Sequence, residues 1–212
     1  MACLHKFHEY LNLANLDFEP TTLIVGTFNP SWPAGNNAEW FYGRVRNNYF
    51  WDVLPRLYDP VLNLRGSNAN NWKLFCSQNK IALTDIISSI NDANENNPEH
   101  HDILKTYVDT SISDYFDDFT FTDISMILEE NPTIKNVYLT RQEGVTLFDQ
   151  QWALVEQFRI ENPERNIRIR NLMTPSASAR FQIKSYKLAN PNDPTPLRNF
   201  IFQNWRLQWH NL

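Results

Sequence analysis

The stretch LIVGTFNPSWPAGNNAEWFYGRVRNNYFW, residues 23–51, opens as an apolar, β-rich run and breaks at Asn29-Pro30 into a loop of Asn, Gly, Ser and Arg. A second stretch, LMTPSASAR at residues 172–180, repeats the pattern and breaks at Thr174-Pro175. A continuous apolar run reads as a strand buried on both faces. Polar residues gathered at its carboxyl end read as the site-bearing edge of an open parallel sheet.

Working outward, Ile-, Val-, Leu- and Thr-rich runs predict strands at 22–26 (TLIVG), 81–86 (IALTDI), 134–140 (IKNVYLT) and 166–173 (NIRIRNLM). Helical spacing of apolar residues predicts helices at 48–58, 122–130, 144–160 and 196–209, with Thr122 or Asp123 as a cap for the second. NDANENNP, 91–98, reads as an exposed loop, and LANPNDPTP, 188–196, as the turn into the last helix. Strands separated by helical crossovers predict an α/β three-layer sandwich, a central four-stranded parallel sheet flanked by helices. No internal repeat is present.

A chain of 212 residues, 42% apolar, can bury one substantial core, and a single domain over 1–212 is expected. Cys3 and Cys76 are its only cysteines. They supply no CxxC, no disulfide framework and not the four ligands of an iron–sulfur cluster, so a reducing, cytoplasmic setting is expected. His5, His8, His100, His101 and His210 make no recognisable ligand set, and no metal or cofactor is expected. Nowhere do about 18 apolar residues run together, so neither export signal nor membrane span is expected.

Net charge is −5, the wrong sign for indiscriminate binding to nucleic acid. The distribution is uneven. Acids dominate from Asp85 to Asn131, where Lys105 is the lone cation, whereas Arg165, Arg168, Arg170, Arg180 and Lys184 outnumber Glu161 and Glu164 further on. The second run reads either as a basic face or as ordinary solvated surface.

The two opening stretches together resemble the paired signature of the uracil-DNA glycosylase superfamily, nearest its mismatch-specific (thymine/uracil) branch. GINPG, NxFW and MPSSSAR of that branch have GTFNP, NYFW and TPSASAR as counterparts. NKIALTDIISSI is similar to the second-strand run of the hypoxanthine-type branch, and IKNVYLT stands where the family has its third strand. The resemblance implies a monofunctional DNA glycosylase that hydrolyses the N-glycosidic bond of a deaminated or mismatched base (uracil, mismatched thymine or hypoxanthine). Its implied partner is DNA, as damaged or mismatched duplex or as single strand, with a monomer doing the work and no membrane.

Such cleavage passes through an oxocarbenium-like sugar. The site must place a water at the anomeric carbon and stabilise the departing base. Asn29 resembles the water-orienting Asn of GINPG. Gly26 and Asn29 are, however, separated by two residues where the family has one. Asn48, aligned through NYFW, resembles the Asn that serves the hypoxanthine-type branch, either as catalytic amide or as reader of the base edge. Each Asn could also close a turn or cap a helix. A flipped base needs a flat partner, for which Tyr42, Phe41 and Phe28 are candidates. In the late loop Thr174, Ser176 and Ser178 are candidate phosphate ligands, and Arg180 resembles the family's wedge Arg, with Arg44 and Arg46 as further phosphate contacts. The alternatives are a catalytically inactive nucleic-acid or nucleotide binding protein of the same fold, or an α/β protein whose Asn-rich loops hold a small molecule.

Overall fold

The computed structural model describes residues 1–32, 36–44, 46–192 and 195–210; Pro33–Gly35 and Val45 of the opening stretch, and residues 193–194 of the expected turn 188–196, lie outside these. In chain order the strands are β1 (Cys3–Leu4), β2 (Thr22–Gly26), β3 (Ile81–Asp85), β4 (Ile87–Ile90), β5 (Phe119–Phe121), β6 (Asn136–Leu139) and β7 (Arg168–Asn171). The α-helices are α1 (Phe50–Arg56), α2 (Ala69–Gln78), α3 (Pro98–Leu104), α4 (Asp109–Tyr115), α5 (Ile124–Glu130), α6 (Thr146–Glu161), α7 (Arg180–Ala189) and α8 (Leu197–Gln208).

The four expected strands form one sheet, ordered β3-β2-β6-β7 and parallel throughout. Its register decides where polar groups emerge. Gly26 pairs with Asp85, Val25 with Leu139, and Leu139 with Asn171, so the four carboxyl ends lie nearly level. Pro30 and Pro175 then bar the chain from extending the ladder, since neither has an N–H to give.

Alternation along the strands builds the three layers. Leu23 and Val25 of β2, with Val137, Leu139 and Ile169, face α5 and α6 through Ile127, Leu128, Phe148 and Trp152. Ile24, Ile81, Leu83 and Tyr138 face the opposite way, against α1, α2 and α8 through Phe50, Trp51, Phe75 and Trp205. A sheet covered on both faces needs apolar residues at every position, which is why β2 and β3 read as unbroken runs.

The expected strand at 81–86 stops at Asp85, one residue early. The chain re-enters extended structure as β4, which leaves the main sheet and joins a small antiparallel sheet ordered β1-β4-β5. Backbone bonds from Ile86 N to Gly26 O and Ile87 N to Thr27 O (3.1 and 3.0 Å) still tie this departure to the end of β2. α2, α3, α4 and α7 have no counterpart among the expected helices. α3, α4 and α7 each hide a single residue, too little for a periodic signal, while α2 hides Trp72, Phe75 and Cys76, a short stripe at helical spacing that the expected helices leave out. The exposed stretch 91–98 ends where Asn97 caps α3 and Pro98 takes its first turn.

Candidate active site

The two motif stretches meet at the carboxyl edge of the sheet. Asn48 pairs with Ser176 in an isolated antiparallel bridge, Tyr49 N donates to Pro175 O at 2.7 Å, and Ala177 N donates to Asn47 O at 2.9 Å. The late loop is thus laced backbone-to-backbone onto the segment before α1. Between this seam and the ends of β2, β3 and β6 lies a cavity of about 430 Å³, lined by Phe28, Asn29, Tyr42, Asn48, Thr174, Ser176 and Ser178 among others. Small-molecule sites fall in this size range.

Gly26 marks the bottom of the cavity. A Cβ there would stand 2.1 Å from Asp85 Oδ1 and 2.7 Å from Tyr42 Oη, so the close approach of the two polar groups requires glycine. Asp85, the last residue of β3, is buried, and its Oδ2 lies 2.7 Å from His5 Nε2. The other imidazole nitrogen, Nδ1, accepts the Phe7 N–H at 3.0 Å. With Nδ1 an acceptor, the proton belongs on Nε2, and a neutral His5 donates to Asp85. The imidazole stacks on Phe41 at 5.3 Å and meets Phe28 edge-on at 5.9 Å, which locks its plane.

Tyr42 sits at φ 57°, a left-handed conformation that turns its ring under the cavity. The ring stacks flat on Phe50, 3.8 Å between centroids and 2° between planes, and its hydroxyl lies 2.8 Å from Thr140 Oγ1. Burial, and then the Asp85 charge, push its phenol well above the usual value, so it keeps its proton.

Both candidate amides line the cavity, and both oxygens are engaged. Asn29 is buried and its Oδ1 accepts from Asn36 Nδ2 at 2.8 Å, while its main-chain O accepts Lys6 N at 2.7 Å. Asn48 Oδ1 accepts the Phe50 N–H at 2.8 Å, closing an Asx turn just before α1, whose N-cap residue is Tyr49. Phe28 is buried yet reaches the cavity wall. Phe41 does not: it is 1% exposed and packs on His5 and Trp40, away from the cavity lining. Its expected stacking role is therefore corrected to a core role, because the chain's reversal at Tyr42 sends adjacent rings to opposite sides. One face of Tyr42 is likewise taken up by Phe50.

In the late loop Ser176 Oγ lies 3.0 Å from Thr174 Oγ1 and accepts Ser178 N at 3.2 Å, capping the short 3-10 turn Ala177–Ala179. Arg180 opens α7 and is exposed, its guanidinium 5.2 Å from the Phe181 ring. Phe181, 66% exposed at the cavity wall, carries no sequence signal beyond its place after the motif. A wider groove of about 900 Å³ adjoins the seam and shares Asn48, Ser176 and Ser178 with the cavity. It gathers Arg44, Arg46, Lys105 and Arg180 against Glu39. Arg44 is half-buried, 3.1 Å from the Tyr107 ring centre, and its loss of solvent lowers the guanidinium to about 10.

The cavity wall also carries charged groups that no sequence motif marks. Asp109, first residue of α4, pairs with Arg141 at 3.5 Å, and burial raises its carboxyl despite that cation. Arg141 is itself buried over Phe148, and its Nη1 makes this ion pair without a hydrogen bond among the described residues. Asp85 and Arg141 lie at strand ends and Asp109 on a helix with no periodic stripe, so no motif joins them in the sequence. Of the late basic run, read either as a basic face or as solvated surface, Arg180 reaches the groove, whereas Arg165 donates to Leu128 O and Asn131 O, away from the cavity. Among the described residues no three His, Cys, Asp or Glu side chains gather as a metal site, and no helix is long and apolar enough to cross a membrane.

The parallel sheet β3-β2-β6-β7, covered on both faces and with a cavity at its carboxyl edge, is the architecture of an open α/β fold that carries its site at the strand ends. Comparison with known proteins agrees at that level. No family model and no curated protein matches the sequence. Among solved structures, the chain is similar to the solution NMR structure of a Methanosarcina acetivorans protein provisionally assigned as a uracil DNA glycosylase. The TM-score is 0.51 at 14% identity, over 92% of this chain and 94% of that one.

Proposed function

We propose that this protein is a DNA glycosylase that hydrolyses the N-glycosidic bond of a deaminated or mispaired base in DNA, working as a monomeric single domain. The observation that carries this reading is the seam. Two motif stretches distant in sequence close on one cavity at the strand ends, and that cavity opens beside a basic groove. The groove suits a phosphate backbone, the cavity suits a nucleotide turned out of the stack, and Arg180 with Phe181 stands at the mouth to fill the gap left behind. Asn29 or Asn48 then orients the attacking water through a neutral amide, which the DNA phosphates do not repel. The water oxygen bonds to the anomeric carbon as the C–N bond breaks with its electron pair on the base, and the proton lost from that water passes through solvent to the departing base.

The test is single-turnover base release from duplexes and single strands carrying uracil, hypoxanthine, mispaired thymine, mispaired adenine or mispaired cytosine, read as alkali-labile abasic sites. Release from at least one substrate is expected, with Asn29→Ala or Asn48→Ala slowing it about 10²–10³-fold, as for loss of one positioned polar group. No release on the whole panel, beside a working control enzyme, would sink the reading. One observation favours a second reading, a nucleic-acid binding protein without catalysis: both amide oxygens already hold intramolecular partners. It predicts saturable, salt-sensitive binding with no abasic product.

A further inference from the structure

We propose that the bottom of the cavity, at Gly26, is an acceptor-only surface that selects a base by an exocyclic amino group and disfavours a carbonyl at the same place. This rests on the glycosylase reading only for the identity of the ligand as a nucleobase.

The proton directions follow from the hydrogen bonds. Thr140 Oγ1 donates its one proton to Val25 O at 3.3 Å. The Tyr42 hydroxyl, 2.8 Å away, then gives its proton to Thr140 Oγ1, and this arrangement satisfies both hydroxyls. Tyr42 Oη is left with lone pairs only. Asp85 accepts one proton from His5 Nε2, and no other hydrogen bond reaches its carboxylate among the described residues. A buried carboxylate with a single donor is under-coordinated, and 7% of its side chain remains open at the cavity wall.

Geometry brings these two acceptors to one spot. The absent Gly26 Cβ would lie 2.7 Å from Tyr42 Oη and 2.1 Å from Asp85 Oδ1, so the two oxygens close over Gly26 side by side at the cavity wall, and one group approaching from the cavity faces both. An amino group has two N–H bonds and can serve both oxygens. A ring N–H can serve one. A carbonyl oxygen in that place sets lone pairs against lone pairs. Adenine and cytosine carry the amino group; hypoxanthine and uracil carry a carbonyl at the corresponding position. Within the glycosylase reading, the surface therefore suits a mispaired adenine or cytosine better than a deaminated base.

The test has two arms. Free adenine, cytosine, uracil and hypoxanthine are titrated into the full chain by NMR, and the same four bases are presented in DNA for single-turnover release. Wild type is expected to prefer each amino base about tenfold or more over its carbonyl counterpart, the effect of one net hydrogen bond. Asp85→Asn, which keeps the shape and can still accept from His5 while offering an N–H, is expected to narrow or reverse that preference by about the same factor. Thr140→Val, which frees the Tyr42 proton for the cavity, should shift it in the same direction. Wild-type preference for the carbonyl bases, no binding of any base, or unchanged preference in both folded variants overturns the proposal. Binding preference without release from any DNA leaves this inference standing and removes the glycosylase reading.

Discussion

Gly26 shows how much one missing methyl can determine. Neither neighbour of its absent Cβ can easily withdraw, because Asp85 is held by His5 and Tyr42 is pinned between Phe50 and Thr140. Gly26→Ala is therefore expected to cost about 1–3 kcal/mol, the usual range for overpacking a well-filled site. Denaturant midpoints measure it, and a variant as stable as wild type would show that the carboxylate moves freely. Asp109 offers a test of opposite character. Burial raises its carboxyl above the unfolded value, so the native state holds the proton more tightly. The stability this gives is present below the unfolded value and is lost as pH rises through the folded one. Asp109→Asn does not titrate, so the difference in melting temperature, variant minus wild type, should move in the variant's favour from acid to neutral pH. Movement the other way would mean that the Arg141 ion pair outweighs burial.

At the scale of elements, the late loop takes its shape from its neighbours as much as from its own sequence. Trp205 of α8 is fully buried, meets Phe50 edge-on, and donates from Nε1 to Met173 O at 2.7 Å, just before the loop begins. Trp205→Ala is expected to destabilise the protein by about 3–5 kcal/mol. It should also loosen the 174–178 loop, measurable as faster amide exchange at Ser176 and Ala177 relative to β2. Equal exchange in the two proteins would assign the loop's order to its seam with Asn48 alone. The four parallel strands were legible because burial on both faces writes continuous apolar runs, and α1, α5, α6 and α8 because each carries a periodic stripe. The small sheet was not: β1 has two residues and β5 three, too short for any period to show. At the site, Asn29, Tyr42, Asn48 and the late loop stand in recognisable motifs, whereas His5, Asp85 and Thr140 come together only through strand register and an N-terminal segment folded back across the sheet edge.

At the scale of the whole molecule, the proposed binding of DNA has to overcome a net charge of −5. Total charge acts at long range and is screened beyond roughly 8–10 Å at physiological salt, so the cations within the groove govern contact. Those cations are unequal. Lys105 is paired with Asp102, and Arg44 lies half-buried over Tyr107, whereas Arg46 and Arg180 are exposed. If all four met phosphates, log affinity for duplex DNA would fall against log salt with a slope of about −3.6, and with Arg46 and Arg180 alone about −1.8. A slope between these values is expected, far shallower than that of a strongly basic DNA-binding protein. Arg180→Ala should reduce its magnitude by about 1, while Arg168→Ala with Arg170→Ala, on the outer strand β7, should leave it unchanged. Fluorescence anisotropy across a salt series measures each slope. An unchanged slope in Arg180→Ala, with a reduced one in the β7 double variant, would move the DNA from the groove to the sheet edge.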